Sequence, residues 1–375
     1  MIMFKSRLRR FCAAVAAAVF LTTEAGADLP DDLICGFVNV EDMVALPGTR
    51  WIIGSGLGDN FFQKGGLHLF NRDTASGRKV LLDLNSAQEA QAPFDRCPGP
   101  ADAEKFSAHG LALKANADGT RDLFVVNHGG RESIEVFRVT AAPRQAPHLA
   151  WIGCVLSPDT AMANAVTVRK DGSLVMSASF AGETKLTPIA EVAEKGVRMD
   201  PKQAAEAAKA MIYGALFTWS RDAGWKKVPG SELMGNNGIE MARDDRWAFV
   251  NSHPGASVTL MPLEPSLGKA RAIKLDFLPD NIRYGFDGKL VATGHVATPQ
   301  QVGACVQAND PHCAISYRAA EIDPQTLAVR RLFDGTGTRD FGLATIGLKT
   351  PEALWLGAAR GTCVAKVSAA RISRP

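Results

Sequence analysis

No Cys-x-x-Cys occurs anywhere in the 375-residue chain, which removes the usual zinc-ribbon and thioredoxin signatures. There is no G-x-S-x-G elbow, no H-E-x-x-H and no G-x-G-x-x-G, so the common serine-hydrolase, zincin and dinucleotide-binding readings are excluded. An excess of either charge is also missing. Lys and Arg number 42 against 39 Asp and Glu, and the first 27 residues hold four of the bases and one of the acids, leaving 38 of each. A neutral chain argues against a nucleic-acid partner or a polybasic membrane contact, because both need surplus Lys and Arg. Beyond the N-terminus no hydrophobic run approaches 18 residues.

What is present begins with an export signal. Lys5, Arg7, Arg9 and Arg10 precede an apolar run from Phe11 to about Thr23, and Ala25-Gly26-Ala27 supplies small residues for cleavage. Residues 1–27 are thus expected to be a signal peptide and 28–375 a single domain, secreted or periplasmic, with membrane association expected only if the signal is retained. Cys12 leaves with the signal. Cys35, Cys97, Cys154, Cys305, Cys313 and Cys363 remain, an even number that favours disulfides in an oxidising compartment, with 15 pairings open.

A strand-like phrase recurs six times: Trp51–Ser55, Leu123–Asn127, Leu174–Ala178, Trp247–Asn251, Leu290–Gly294 and Leu354–Ala358. Each has a large apolar opener, three mostly apolar residues and a small or polar one. The starts lie 72, 51, 73, 43 and 64 residues apart, and each follows a turn signal such as Pro47-Gly48, Asp118-Gly119 or Asp287-Gly288. A second short strand precedes each turn, as in Met43–Leu46 and Ala165–Val168. Six hairpins in about 348 residues leave room for a four-stranded sheet per repeat, so the expected fold is an all-β, six-bladed β-propeller. Between about 182 and 211 the chain turns Ala-, Glu- and Lys-rich, and Asp200-Pro201 reads as a helix start, which predicts a short helical insertion in the third repeat.

Ten residues before the strand openers stand Glu41, Asn164, Asn237, Asp280 and Ala344, and His109 takes this phase in the second repeat, whose turn is four residues longer. Asn237-Gly238 alone reads as a turn and Glu41-Asp42 alone as a solvated pair. The shared phase changes that, because the innermost strand of every propeller blade lines one central channel. Glu41, Asn164, Asn237 and Asp280, with neighbouring Asn281, form an oxygen-only set suited to a hard cation, Ca²⁺ before Mg²⁺ or Zn²⁺. His109 and His128 stand at the facing ends of one hairpin, where one imidazole takes a proton and the other orients it. His253 and His295 end the corresponding strands of repeats four and five, and with Leu57 and Phe180 are expected at the same mouth.

These residues resemble the paraoxonase family of calcium-dependent lactonases and arylesterases, within the gluconolactonase/regucalcin-like propellers. The resemblance rests on Glu41-Asp42 with Gly54-Ser55-Gly56-Leu57, Ala108-His109-Gly110, Val125-Val126-Asn127-His128, Asn237-Gly238-Ile239 and Asp280-Asn281-Ile282. It implies a catalytic Ca²⁺ on Glu41, Asn164, Asn237, Asp280 and Asn281, with His109 and His128 as base and partner. It further implies a second, structural calcium at Asp42 and the Leu111 carbonyl, although Ala165 stands where the family usually has Asp. A disulfide joining the chain ends is implied between Cys35 and Cys363, and beside it Cys97–Cys154 and Cys305–Cys313 are the pairs expected. The activity implied is hydrolysis of a small lactone or aryl ester. Two rivals remain: a sugar lactonase of the gluconolactonase type, and a non-catalytic propeller that calcium merely rigidifies. Oligomeric state has no signal in the sequence.

Overall fold

A computed structural model describes residues 28–58, 64–84, 89–142, 145–182, 213–308 and 312–372. Residues 1–27, and almost all of the insertion expected at 182–211, lie outside them. The described chain is a six-bladed propeller. Blade one is β2 (Met43–Ala45), β3 (Trp51–Gly56), β4 (Gly66–Asn71) and β5 (Ser76–Lys79). Blade two is β6 (Ala108–Ala115), β7 (Arg121–Asn127), β8 (Ser133–Thr140) and β9 (His148–Leu156). Blade three is β10 (Ala161–Val168), β11 (Leu174–Ala181), β12 (Tyr213–Ser220) and β13 (Gly224–Lys227), with the short β14 (Leu233–Met234) on β12. Blade four is β15 (Asn236–Met241), β16 (Trp247–Ser252), β17 (Ser257–Pro262) and β18 (Arg271–Lys274). Blade five is β19 (Leu278–Tyr284), β20 (Leu290–His295), β21 (Tyr317–Ile322) and β22 (Val329–Gly335). Blade six is β23 (Ala344–Lys349), β24 (Ala353–Ala358) and β25 (Cys363–Ser368), completed by β1 (Asp32–Cys35) from the other end of the chain.

The recurring phrase is the second strand of every blade. It is nearly all apolar because each blade is sandwiched between two others, so both of its faces are buried. Among the described residues seven apolar clusters form, one at each of the six blade–blade contacts and a seventh around Val302, Cys313 and Leu343. Phe124, Val136, Met176 and Phe217 join blades two and three, and Met43, Phe70, Ile346 and Trp355 join blades one and six. In five of the six blades the turn before the phrase holds a left-handed residue; blade six turns through Thr350-Pro351-Glu352 without one. Gly172 (φ 89°) provides it in blade three, and Asp245 (φ 62°) bears the same conformation in blade four.

The ring closes where β1 pairs antiparallel with β25, in a register that sets Cys35 opposite Cys363, and these two form a disulfide. Cys97–Cys154 and Cys305–Cys313 are also bonded. The last of these anchors a helix the sequence reading did not anticipate, α1 (Pro299–Gln307), between β20 and β21. Thr298 caps it, accepting from the Gln301 N–H while the Gln301 side chain accepts from the Thr298 N–H, and Pro299 fills the first turn.

Candidate active site on the propeller axis

Five of the six inner strands break register at the residues that face the axis. The irregularities fall between Ala108 and Leu111, between Met162 and Ala165, between Asn236 and Ile239, between Pro279 and Ile282, and between Ala344 and Ile346. A bulge re-aims a side chain that a regular ladder would send into the blade faces. His109, Asn164, Asn237, Asp280 with Asn281, and Thr345 are those re-aimed residues. Two glycines allow the strands to crowd there. A Cβ on Gly110 would lie 2.6 Å from the Ala165 Cα and the Asn164 carbonyl, and one on Gly238 would lie 2.5 Å from the Asn281 Cα. The Asn237-Gly238 pair is therefore a strand bulge rather than a turn.

Glu41 and Asp42 reach the axis just ahead of β2. Asn281 Nδ2 donates to Glu41 Oε1 at 2.6 Å, and the Thr345 hydroxyl donates to the Glu41 carbonyl at 2.7 Å. Asn251 Nδ2 fixes the Asp280 backbone by donating to its carbonyl at 2.8 Å. Three buried oxygens here have no hydrogen-bond partner: Glu41 Oε2, Asn164 Oδ1 and Asn237 Oδ1. Burial, and then the adjacent Glu41 charge, push the Asp280 carboxyl well above the usual carboxylate range. Orphaned oxygens from three blades beside two crowded carboxylates fit a hard divalent cation, which would satisfy the oxygens and offset both charges.

The histidines form a relay. His109 Nε2 lies 3.5 Å from Glu41 Oε1, while its Nδ1 lies 2.8 Å from His128 Nε2. His128 Nδ1 in turn lies 2.9 Å from both oxygens of Glu132. A carboxylate only accepts, so the network assigns a proton to His128 Nδ1, leaves His128 Nε2 to accept from His109 Nδ1–H, and leaves a lone pair on His109 Nε2. Burial alone would lower the His109 pKa, but Glu41 foremost, with Asp42 and Glu132, raises it above the ordinary imidazole value. Glu132 escaped the sequence reading. It reaches His128 because Asn127 Nδ2 donates to the carbonyls of Gly129 and Arg131, curling the segment after β7 beneath the ring. An acid four residues beyond a histidine at a strand end was the available signal.

His253 and His295 form a second pair, Nε2 to Nδ1 at 2.8 Å, with His295 Nε2 3.7 Å from Asp280. The ligand atoms of His253, Asp280 and His295 gather within 4.8 Å, a group that could itself hold a metal. Burial pushes His253 down to about 4, and burial together with His253 holds His295 well below the usual range. These neutral rings line a cavity of about 310 Å³ with Glu41, His109, Asn164, Asn237 and Asp280 on its floor. Leu57, Phe180, Met162 and Leu343 form its walls, joined by Val302 and Val306 from α1.

Asp42 and the Leu111 carbonyl depart from expectation. The Arg283 guanidinium donates to both, so neither is left for a second calcium, and the ion implied there does not fit the residues present.

Fold and site together define a six-bladed propeller with an oxygen-donor centre on its axis and a histidine relay at one mouth. Residues 32–152, which run from β1 into β9, match the family model for arylesterases. The chain is 33% identical over 135 residues to serum paraoxonase/lactonase 3 of Mus musculus, and 29% identical over 134 residues to serum paraoxonase/arylesterase 1 of the same species. Each match covers 35% of this chain and 36% of the relative, so the similarity spans about a third of either protein. A gluconolactonase from Xanthomonas campestris superimposes with a TM-score of 0.50 at 15% identity, over 91% of this chain and 89% of that one, a likeness of fold. The paraoxonase resemblance is thus found independently over residues 32–152, which hold the Glu41-Asp42, Ala108-His109-Gly110 and Asn127-His128 motifs.

Proposed function

We propose that the protein is a calcium-dependent hydrolase of carboxylic esters, acting on small lactones or aryl esters. One observation carries this reading: orphaned Glu41, Asn164 and Asn237 oxygens and the Asp280 carboxyl share one cavity with the lone pair of a relayed histidine. Glu41, Asn164, Asn237, Asp280 and Asn281 would hold the ion. When bound there, calcium supplies Lewis-acid polarisation of the ester carbonyl and stabilises the negative charge that develops on its oxygen.

The chain's own residues do the rest. His109 Nε2 takes the proton of the attacking water. The resulting positive charge is shared along the relay, because His109 Nδ1–H already points at His128 Nε2 and Glu132 accepts from His128 Nδ1. Returning that proton from His109 to the leaving alkoxide or phenoxide completes the turnover and restores the neutral ring. The apolar walls favour a hydrophobic acyl chain or ring over a polyhydroxylated sugar lactone, and about 310 Å³ sits at the small end of ligand pockets. Three disulfides support an oxidising compartment, and no helix among the described residues is long and apolar enough to cross a membrane.

The test is hydrolysis of phenyl acetate and a panel of aliphatic and sugar lactones, with and without EGTA. Chelator-sensitive turnover of the ester and aliphatic lactones is expected. Preference for sugar lactones would overturn the substrate assignment. No turnover on any substrate would overturn the hydrolase.

A further inference from the structure

We infer that Arg283 is a built-in cation that takes the place of a second axial calcium, so that this propeller holds at most one calcium ion per chain. Arg283 stands on β19, two residues beyond Asn281, and its side chain is only 7% exposed. One guanidinium nitrogen donates both to Asp42 and to the Leu111 carbonyl, and the other donates to the Ile239 carbonyl at 3.2 Å and faces Glu240 at 3.8 Å.

Asp42 is fully buried and its oxygens are committed elsewhere. It accepts from the Met43 N–H and the Leu111 N–H, each at 2.7 Å, and then from Arg283. A calcium needs roughly six to eight oxygens, whereas at this corner the Asp42 carboxylate and the Leu111 and Ile239 carbonyls already accept from Arg283, and Glu240 faces the same guanidinium. Ala165, buried in the adjacent inner strand, contributes no oxygen from its side chain. A guanidinium meets the same demand differently: it keeps its charge at any ordinary pH and satisfies several acceptors in a plane through five N–H donors.

Arg283 also divides the axis. With Glu240 it lines a cavity of about 380 Å³ at the mouth opposite the histidines, so the guanidinium plugs the channel beneath the catalytic cavity. Charge and shape at that level then belong to the chain itself and survive chelation.

The experiment is a calcium count by atomic emission, after equilibrium dialysis against micromolar free Ca²⁺, on the wild type and on the double variant Arg283→Met/Ala165→Asp. The wild type is expected to hold no more than one ion and the double variant one more than the wild type. Two ions in the wild type, or no gain in a folded double variant, would overturn the inference. Should the double variant fail to fold, the wild-type count decides alone. The calcium reading of the active site fails separately: a wild-type count of zero would sink it and leave Arg283 in its place.

Discussion

Replacing both Cys35 and Cys363 by Ala reopens the ring at its seam while leaving the β1–β25 strand pair able to form. The two residues lie 328 apart in sequence, so their bond closes almost the whole domain into one loop in the unfolded chain. On the chain-entropy account, losing a closure of that length costs about 6 kcal/mol, a large share of the stability of an ordinary domain. The other two bonds calibrate the argument. Cys97–Cys154 closes 57 residues and Cys305–Cys313 closes eight. The same relation gives about 4 and about 2.5 kcal/mol for them. Guanidinium unfolding of the three double-Ala variants, followed by Trp fluorescence, should therefore rank them by loop length, with the seam variant lowest in midpoint. A seam variant within about 1 kcal/mol of the wild type, or below the Cys305–Cys313 variant in cost, would refute closure entropy as the source and assign the seam to strand pairing.

Two further outcomes follow from buried groups. His68, on β4, packs edge-on against Phe37, and burial first, then Lys79, lowers its pKa to about 4. The neutral ring is thus the folded form, so its contribution is complete above about pH 6.5, falls as pH drops toward 4, and totals about 3 kcal/mol. Thermal melts of the wild type and His68→Gln between pH 7.5 and 4.5 should diverge in slope, the variant losing less; parallel slopes would contradict a neutral buried His68. Glu132→Gln should lower kcat by a part of the roughly 10²–10⁴-fold that a positioned base supplies and shift the acid limb of the pH profile downward, since Glu132 is among the charges that raise His109. Its calcium count should be unchanged, and an unaltered kcat would remove Glu132 from the relay.

The architecture was legible because every blade repeats one packing problem. A strand buried on both faces must be apolar along its length, and in five blades the tight turn before it holds a residue that tolerates positive φ, so Leu123–Asn127 and Leu174–Ala178 carry the same pattern at any spacing. The axial residues were legible by phase for a reason the sequence did not disclose: register breaks at the same height in five inner strands. What escaped depended on contacts between distant segments. Arg283 reads as one more residue of an alternating strand until Asp42, 241 positions away, is seen against it. Glu132 depends on how Asn127 curls a short segment, and α1 on a Thr-Pro-Gln-Gln start that is brief beside the strand pattern around it.

If the oxygen set holds the metal while His109 moves the proton, Asp280→Ala and His109→Gln separate the two roles when measured side by side for bound calcium and phenyl acetate turnover. Asp280→Ala is expected to lose calcium and activity together, whereas His109→Gln is expected to keep its calcium and lose most of its turnover. Loss of calcium in His109→Gln, or full activity in either variant, would contradict that division of roles.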